Sequence, residues 1–165
     1  MKRSRKLLVV GIVAGLCILA LSRVGTEAAQ VDKNARRIPA RALALPKMPV
    51  TLDQVTATGV GKEIVLTYSV INKTGGQLTS IEVEVFIVDQ SGNIKGGAGW
   101  GRNVDLAANS TEDFSVVLQN KIDSEDRLVV AAAKATGQAG TFEVEAAELV
   151  DAVKAQIANE LRRRR

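Results

Sequence analysis

Histidine is absent from this 165-residue chain, and cysteine occurs once. Without an imidazole there is no Ser-His-Asp triad and no Cys-His pair, and zinc loses its usual nitrogen ligand. Cys17 sits within an apolar run and reads as a small hydrophobe there. The chain beyond it can close no disulfide, so its fold must stand on a hydrophobic core. A mature length of about 110 residues is enough for one such core. Aromatic residues make up only 3% of the sequence, and no basic stretch interleaves them, so a platform for stacking bases is missing. The only prolines, Pro39, Pro46 and Pro49, fall close together. Enzymatic activity, a metal and a cofactor are therefore not expected.

What is present begins at the N-terminus. Met1-Lys2-Arg3-Ser4-Arg5-Lys6 is a basic start, and Leu7 to Leu21 is an uncharged, mostly apolar run. A positive segment, a short apolar segment and a polar exit with small residues form the layout of an export signal. As a helix the run would span roughly 22 Å, short against a bilayer core of about 30 Å. Cleavage is expected after Ala20-Leu21-Ser22 or after Thr26-Glu27-Ala28, releasing a chain that starts at Arg23 or Ala29. The alternative is an uncleaved anchor over residues 7–21. Either way the remainder is expected in the periplasm or outside the cell.

Charge separates along the chain. Residues 1–28 hold five bases and one acid, which leaves 17 bases and 17 acids in residues 29–165. From Met48 to Leu161 there are 8 bases against 16 acids, a net of −8. Lys33, Arg36, Arg37, Arg41 and Lys47 precede this acidic body, and Arg162, Arg163, Arg164 and Arg165 follow it. Nucleic acid is not expected as a partner, because its binding needs cations gathered on one folded face. Basic ends do suit an anionic membrane surface, while the plainer reading is a solubilising tail whose arginines complement a helix dipole.

Four segments follow: a signal peptide or anchor over 1–28, a flexible basic linker over 29–49, a β-domain over 50–145, and a helix with an arginine tail over 146–165. Within the β-domain, Val50 to Ala57 predicts a strand. Ile64, Leu66, Tyr68 and Val70 alternate with polar or smaller residues over Glu63 to Asn72, and Ile81, Val83, Val85 and Ile87 do so in the next strand. Asn72-Lys73-Thr74-Gly75-Gly76 between them has turn chemistry, with Asn and Gly tolerating positive φ. Ile94 to Leu106 is expected to be looser, because Gly96, Gly97, Gly99 and Gly101 weaken strand propensity and invite bulges. Phe114 to Leu118, Leu128 to Ala135 and Thr141 to Glu145 complete about seven strands. Their spacing predicts an immunoglobulin-like β-sandwich, mainly β overall. Ala146, Leu149, Val150, Val153, Ile157 and Leu161 then form one helical stripe, predicting a C-terminal amphipathic α-helix that packs on the domain's own sheet.

The stretch from Tyr68 to Leu118 resembles the small bacterial extracytoplasmic sandwiches known as FxLYD-like domains, though the literal FxLYD motif is absent. The resemblance is carried by Val70-Ile71-Asn72-Lys73-Thr74-Gly75, by Ile81 to Val88 with Asp89-Gln90-Ser91-Gly92, and by Phe114-Ser115-Val116-Val117-Leu118. It implies a sandwich fold and no catalytic residues.

Among candidate sites, Glu82 and Glu84 offer a carboxylate pair on one strand face, whose plain reading is a solvated surface. Asp123, Glu125 and Asp126 offer calcium ligands without a known loop pattern, so a polar turn is expected. Trp100, the sole tryptophan, is expected to fill the core or cap its end; otherwise Trp100 and Arg102 would form an interaction anchor on a glycine-rich loop. Arg162 to Arg165 are the other candidate contacts. Asn72-Lys73-Thr74 and Asn109-Ser110-Thr111 match the glycan acceptor pattern, which matters only in a eukaryotic host. The function expected is an exported, non-enzymatic binding or accessory module of the cell envelope, with an unidentified protein or envelope polymer as partner. The alternative is a membrane-anchored structural protein held by its N-terminal helix and basic tail.

Overall fold

A computed structural model describes residues 35–119 and 122–163 of the chain. The signal or anchor at residues 1–28, residues 29–34 of the expected linker, Arg164 and Arg165 lie outside the described residues. Among the described residues nine strands precede one helix: β1 (Arg36–Ile38), β2 (Ala40–Leu43), β3 (Val50–Val60), β4 (Glu63–Asn72), β5 (Leu78–Val88), β6 (Ile94–Leu106), β7 (Thr111–Leu118), β8 (Arg127–Gly137), β9 (Gly140–Glu143) and α1 (Ala146–Arg163).

They form two sheets over a shared core. The first has the order β1-β3-β4-β7, and the second runs β2-β8-β5-β6 with β9 also on β8. All neighbours are antiparallel except β2, which lies parallel to β8 with Ala40 opposite Leu128. Because β5 occupies one side of β8, β2 and β9 share the other. β2 covers Leu128 to Ala131, and β9 covers Lys134 to Gly137.

Alternation decides what is buried. Ile64, Leu66, Tyr68 and Val70 of β4 face Ile81, Val83, Val85 and Ile87 of β5 and Leu128 and Val130 of β8 within one core. At about 1.5–3 kcal/mol for each fully buried large aliphatic side chain, these rows dominate the stability of the domain. Leu128 to Ala133 is buried at every position, since the inner face meets the other sheet and the outer face of β8 lies under α1.

The helix packs on its own domain, as its stripe predicts. Val153 and Ile157 form a second cluster with Val88 and Val129, flanked by Leu43, Phe86 and Leu161, while Leu149 joins the main core. Ala146, at the start of the stripe, is exposed. Glu148 in the first turn and Arg162 and Arg163 in the last turn suit the helix dipole. Glu160 ties the far end down by pairing with Arg41 of β2 at 3.0 Å and Arg127 of β8 at 3.1 Å. No helix among the described residues is long and apolar enough to cross a membrane.

Two expectations need correction. Residues 36–38 and 40–43, expected within a flexible linker, are strands. Their own pattern is weak, and they are ordered by partners far along the chain: Ile38 pairs with Ala57 in one sheet, and Ala40 with Leu128 in the other. Pro39 makes the crossing between sheets, where its missing N–H costs nothing and its carbonyl accepts from Leu128 N at 2.8 Å. Ile94 to Leu106, expected to be looser and open to bulges, is one 13-residue strand, because pairing along β5 overrides local propensity. Irregular register is confined to Leu78/Ser80 and Ile87/Val88 in the β5–β6 pair.

Candidate functional site

Trp100 and Arg102 belong to a strand rather than a loop. β6 is an edge strand, so its inward side chains lie at the open side of the sandwich, next to β7. Trp100 stands opposite Val83 and is half-buried, which makes it the cap of the core rather than its centre. Its indole Nε1 donates to the Tyr68 hydroxyl at 3.0 Å, with the ring centroids 6.1 Å apart. Tyr68 in turn lies 5.9 Å from Phe114, and the exposed Arg102 guanidinium sits 5.1 Å from the Phe114 centroid. The result is a row, Trp100-Tyr68-Phe114-Arg102, that joins the edges of the two sheets. An exposed cation over such a ring is worth about 0.5–1 kcal/mol. Burial pushes the Tyr68 hydroxyl above its ordinary pKa of 10.0, opposed by the Trp100 hydrogen bond and the Arg102 charge.

From Gly97 to Gly101 the other face of β6 is bare. Gly97, Gly99 and Gly101 stand opposite Phe86, Glu84 and Glu82 of β5, on the sheet face opposite to Trp100, where Phe86 packs beside the cluster under α1. A Cβ at Gly99 would lie within 3 Å of the Glu84 carboxylate, which therefore rests over the glycine. Neither Glu82 nor Glu84 has a hydrogen bond or ion pair among the described residues, and Lys134, across from Glu82, is paired with Glu143 at 3.2 Å. The two carboxylates thus flank a side-chain-free strip. Sequence reasoning noticed the glutamates and the glycines separately; the signal it passed over was their matching two-residue spacing.

The remaining candidates separate. Arg162 and Arg163 are exposed at the end of α1, away from the aromatic row in sequence and element. In the acidic turn a lysine supplies the positive charge: Lys95 Nζ meets Asp123 at 2.6 Å and the buried Asp126 at 2.9 Å, and Asp126 also accepts from Asp123 N. The bonds to Asp123 and then Asp126 raise the Lys95 pKa. No group of three metal-ligating side chains converges among the described residues.

Asn72 acts through its side chain rather than through a positive φ, which among non-glycine residues is confined to Gln54 and Asn109 in the described backbone. Fully buried, its Nδ2 lies 2.9–3.0 Å from the carbonyls of Gly76, Leu106 and Ala107. Its Oδ1 accepts from Thr74 N at 2.9 Å and Thr74 Oγ1 at 2.7 Å. Of the two glycan acceptor patterns, then, only Asn109 is exposed in the fold.

A cleft of about 670 Å3 lies away from the aromatic row, lined by residues that include Arg36, Ile38, Lys62, Ile64 and Ile122. Arg36 there already donates to the carbonyls of Ile122 and Asp123. Neither Trp100 nor Arg102 lines it. Comparison with known proteins finds no matching family model, no matching curated protein and no matching solved structure.

Proposed function

We propose that this chain is an exported, non-enzymatic binding module of the cell envelope, built on an immunoglobulin-like sandwich. The strand order supports the fold reading: β4 pairs with β7 and β5 with β8, while the chain crosses between sheets from β4 to β5 and from β7 to β8. Those are Greek-key connections. The resemblance to FxLYD-like domains belongs to the same proposal.

The observation that carries the binding reading is β6. It is a 13-residue strand with a bare outer strip and a half-buried aromatic on its inner side, and its second edge is unpaired among the described residues. Long, open edges are ordinarily shortened, bulged or charged, because they invite another strand. Intact mass and fractionation of the natively expressed protein test the exported part. A soluble species starting at Arg23 or Ala29 fits a released module, and a cytosolic full-length chain overturns the reading. Co-sedimentation with purified envelope polymer, compared between the wild-type chain and a Trp100→Ala variant, tests the binding part.

A second reading, a membrane-tethered structural protein, draws on the exposed arginines at the end of α1. It expects a membrane-bound species retaining Met1 to Leu21. It also expects weaker vesicle association when Arg162 to Arg165 are deleted.

A further inference from the structure

We propose that the open edge of β6 receives an extended peptide carrying lysine or arginine at alternate positions, added as a further strand to the second sheet. The inference rests on the binding-module reading and names its partner chemistry.

Three observations lead there. The first is length. At about 3.3 Å per residue, 13 residues present roughly 43 Å of edge, a template of N–H and C=O groups for strand addition.

The second is that the fold does not explain most of the bare strip. A Cβ at Gly97 would lie 2.5 Å from the Val85 carbonyl, so that glycine is needed for close approach. At Gly99 the obstacle is the movable end of Glu84, and at Gly101 the nearest atom, Glu82 Cγ, is at an ordinary 3.6 Å. Glycine inside a strand costs about 0.5–1 kcal/mol relative to alanine, so two of the three weaken the strand with no steric return.

The third is charge. Glu84 and Glu82 stand in register with Gly99 and Gly101 and have no partner among the described residues. Strands lie about 4.8 Å apart, which puts an added strand roughly 9.6 Å from β5. With no side chain on β6 between them, a long basic side chain from the added strand lies across the glycines and meets the carboxylates. An acidic strand would be repelled. A second copy of β6 paired glycine to glycine would leave both carboxylates unpaired. The net −8 of residues 48–161 draws a basic segment toward the domain in the first place.

The test uses the full chain and a short, end-blocked synthetic peptide alternating lysine with valine. A matched peptide carries glutamate for lysine. Hydrogen exchange over Ile94–Leu106 reports the site, and fluorescence of the sole tryptophan reports both binding and an intact fold. The lysine peptide is expected to slow exchange in β6 and leave β7 unchanged. Glu82→Gln with Glu84→Gln should weaken it roughly tenfold, the worth of two exposed ion pairs. Gly101→Leu, which fills the strip, should abolish the protection while folding is retained. Equal affinity for the glutamine variant overturns the proposal, as does protection that falls on β7. If the glutamate peptide or an envelope glycan protects β6 and the lysine peptide does not, the basic partner is refuted and the binding module stands. If no probe protects β6, both fall.

Discussion

Replacing Asn72 with alanine tests whether one buried amide holds this sandwich's end together. Its side chain gathers two turns, the β4–β5 turn through Gly76 and Thr74 and the β6–β7 turn through Leu106 and Ala107. Backbone bonds run the same way, from Asn72 N to Ser110 O and from Asn109 N to Asn72 O. After truncation the Gly76 carbonyl keeps the Thr74 hydroxyl, and the Ala107 carbonyl keeps Ser110. The loss therefore falls mainly on the Leu106 carbonyl and the Thr74 N–H. Each group stripped of a buried bond costs about 1–3 kcal/mol. With the small void added, the expected loss is about 3–5 kcal/mol, a large share of the 5–15 kcal/mol typical of a whole domain. Asn72→Asp should be at least as harmful, because it turns an oxygen toward three carbonyls. Urea unfolding followed by Trp100 fluorescence measures the effect. Thr74→Val should cost about 1–2 kcal/mol alone and add less than that in the Asn72→Ala background, since the two share bonds. A loss below about 1 kcal/mol for Asn72→Ala, at unchanged denaturant slope, would refute the reasoning.

Three further outcomes are expected. The sole tyrosine should ionise above 10.0 in an absorbance titration of the folded chain; the neutral form is favoured by folding, so stability falls as pH rises from 10.0 toward the folded value. Asp89 is held below 3.8, first by the Asn93 side chain and then by the Asn93 N–H, so its contribution should be present above 3.8 and vanish as pH falls through the folded value; Asp89→Asn should flatten that part of an acid-unfolding curve. Val153→Ala should cost about 1.5–3 kcal/mol and speed amide exchange in α1 before that in β4, because this fully buried side chain anchors the helix to Val88 and Val129.

The parts of the fold that were legible in the sequence are those whose cause is local. β4 spans Glu63–Asn72 as its alternation requires, and Leu149, Val153 and Ile157 of the predicted α1 stripe are buried, with Leu161 packed beside them. β1 and β2 were not legible, because their order comes from β3 and β8 and their own residues lack a clear period. β6 was partly legible: irregular register does occur where it pairs with β5, but glycine lowers propensity only locally, while β5 supplies pairing along its whole length. The Trp100 site was half legible. A lone tryptophan near an arginine is visible in a string of letters, but Tyr68 lies 32 residues away, and nothing local says that it meets the indole. The role of Asn72 was read as backbone conformation when it is hydrogen bonding, a distinction that depends on which carbonyls the two turns deliver.

The shared flank of β8 bears on how the chain must fold. Strand β2 waits for Leu128 to Ala131, and its Arg41 waits a further stretch for Glu160, 119 residues along. Contacts of such separation pay a loop-closure cost before they return anything, which slows folding. Strand β1 can close early on β3, about 20 residues along, but β2 has no such neighbour in sequence. Until the segment through β8 has emerged from a ribosome or a pore, the first strand of the second sheet has no partner, and that sheet closes last.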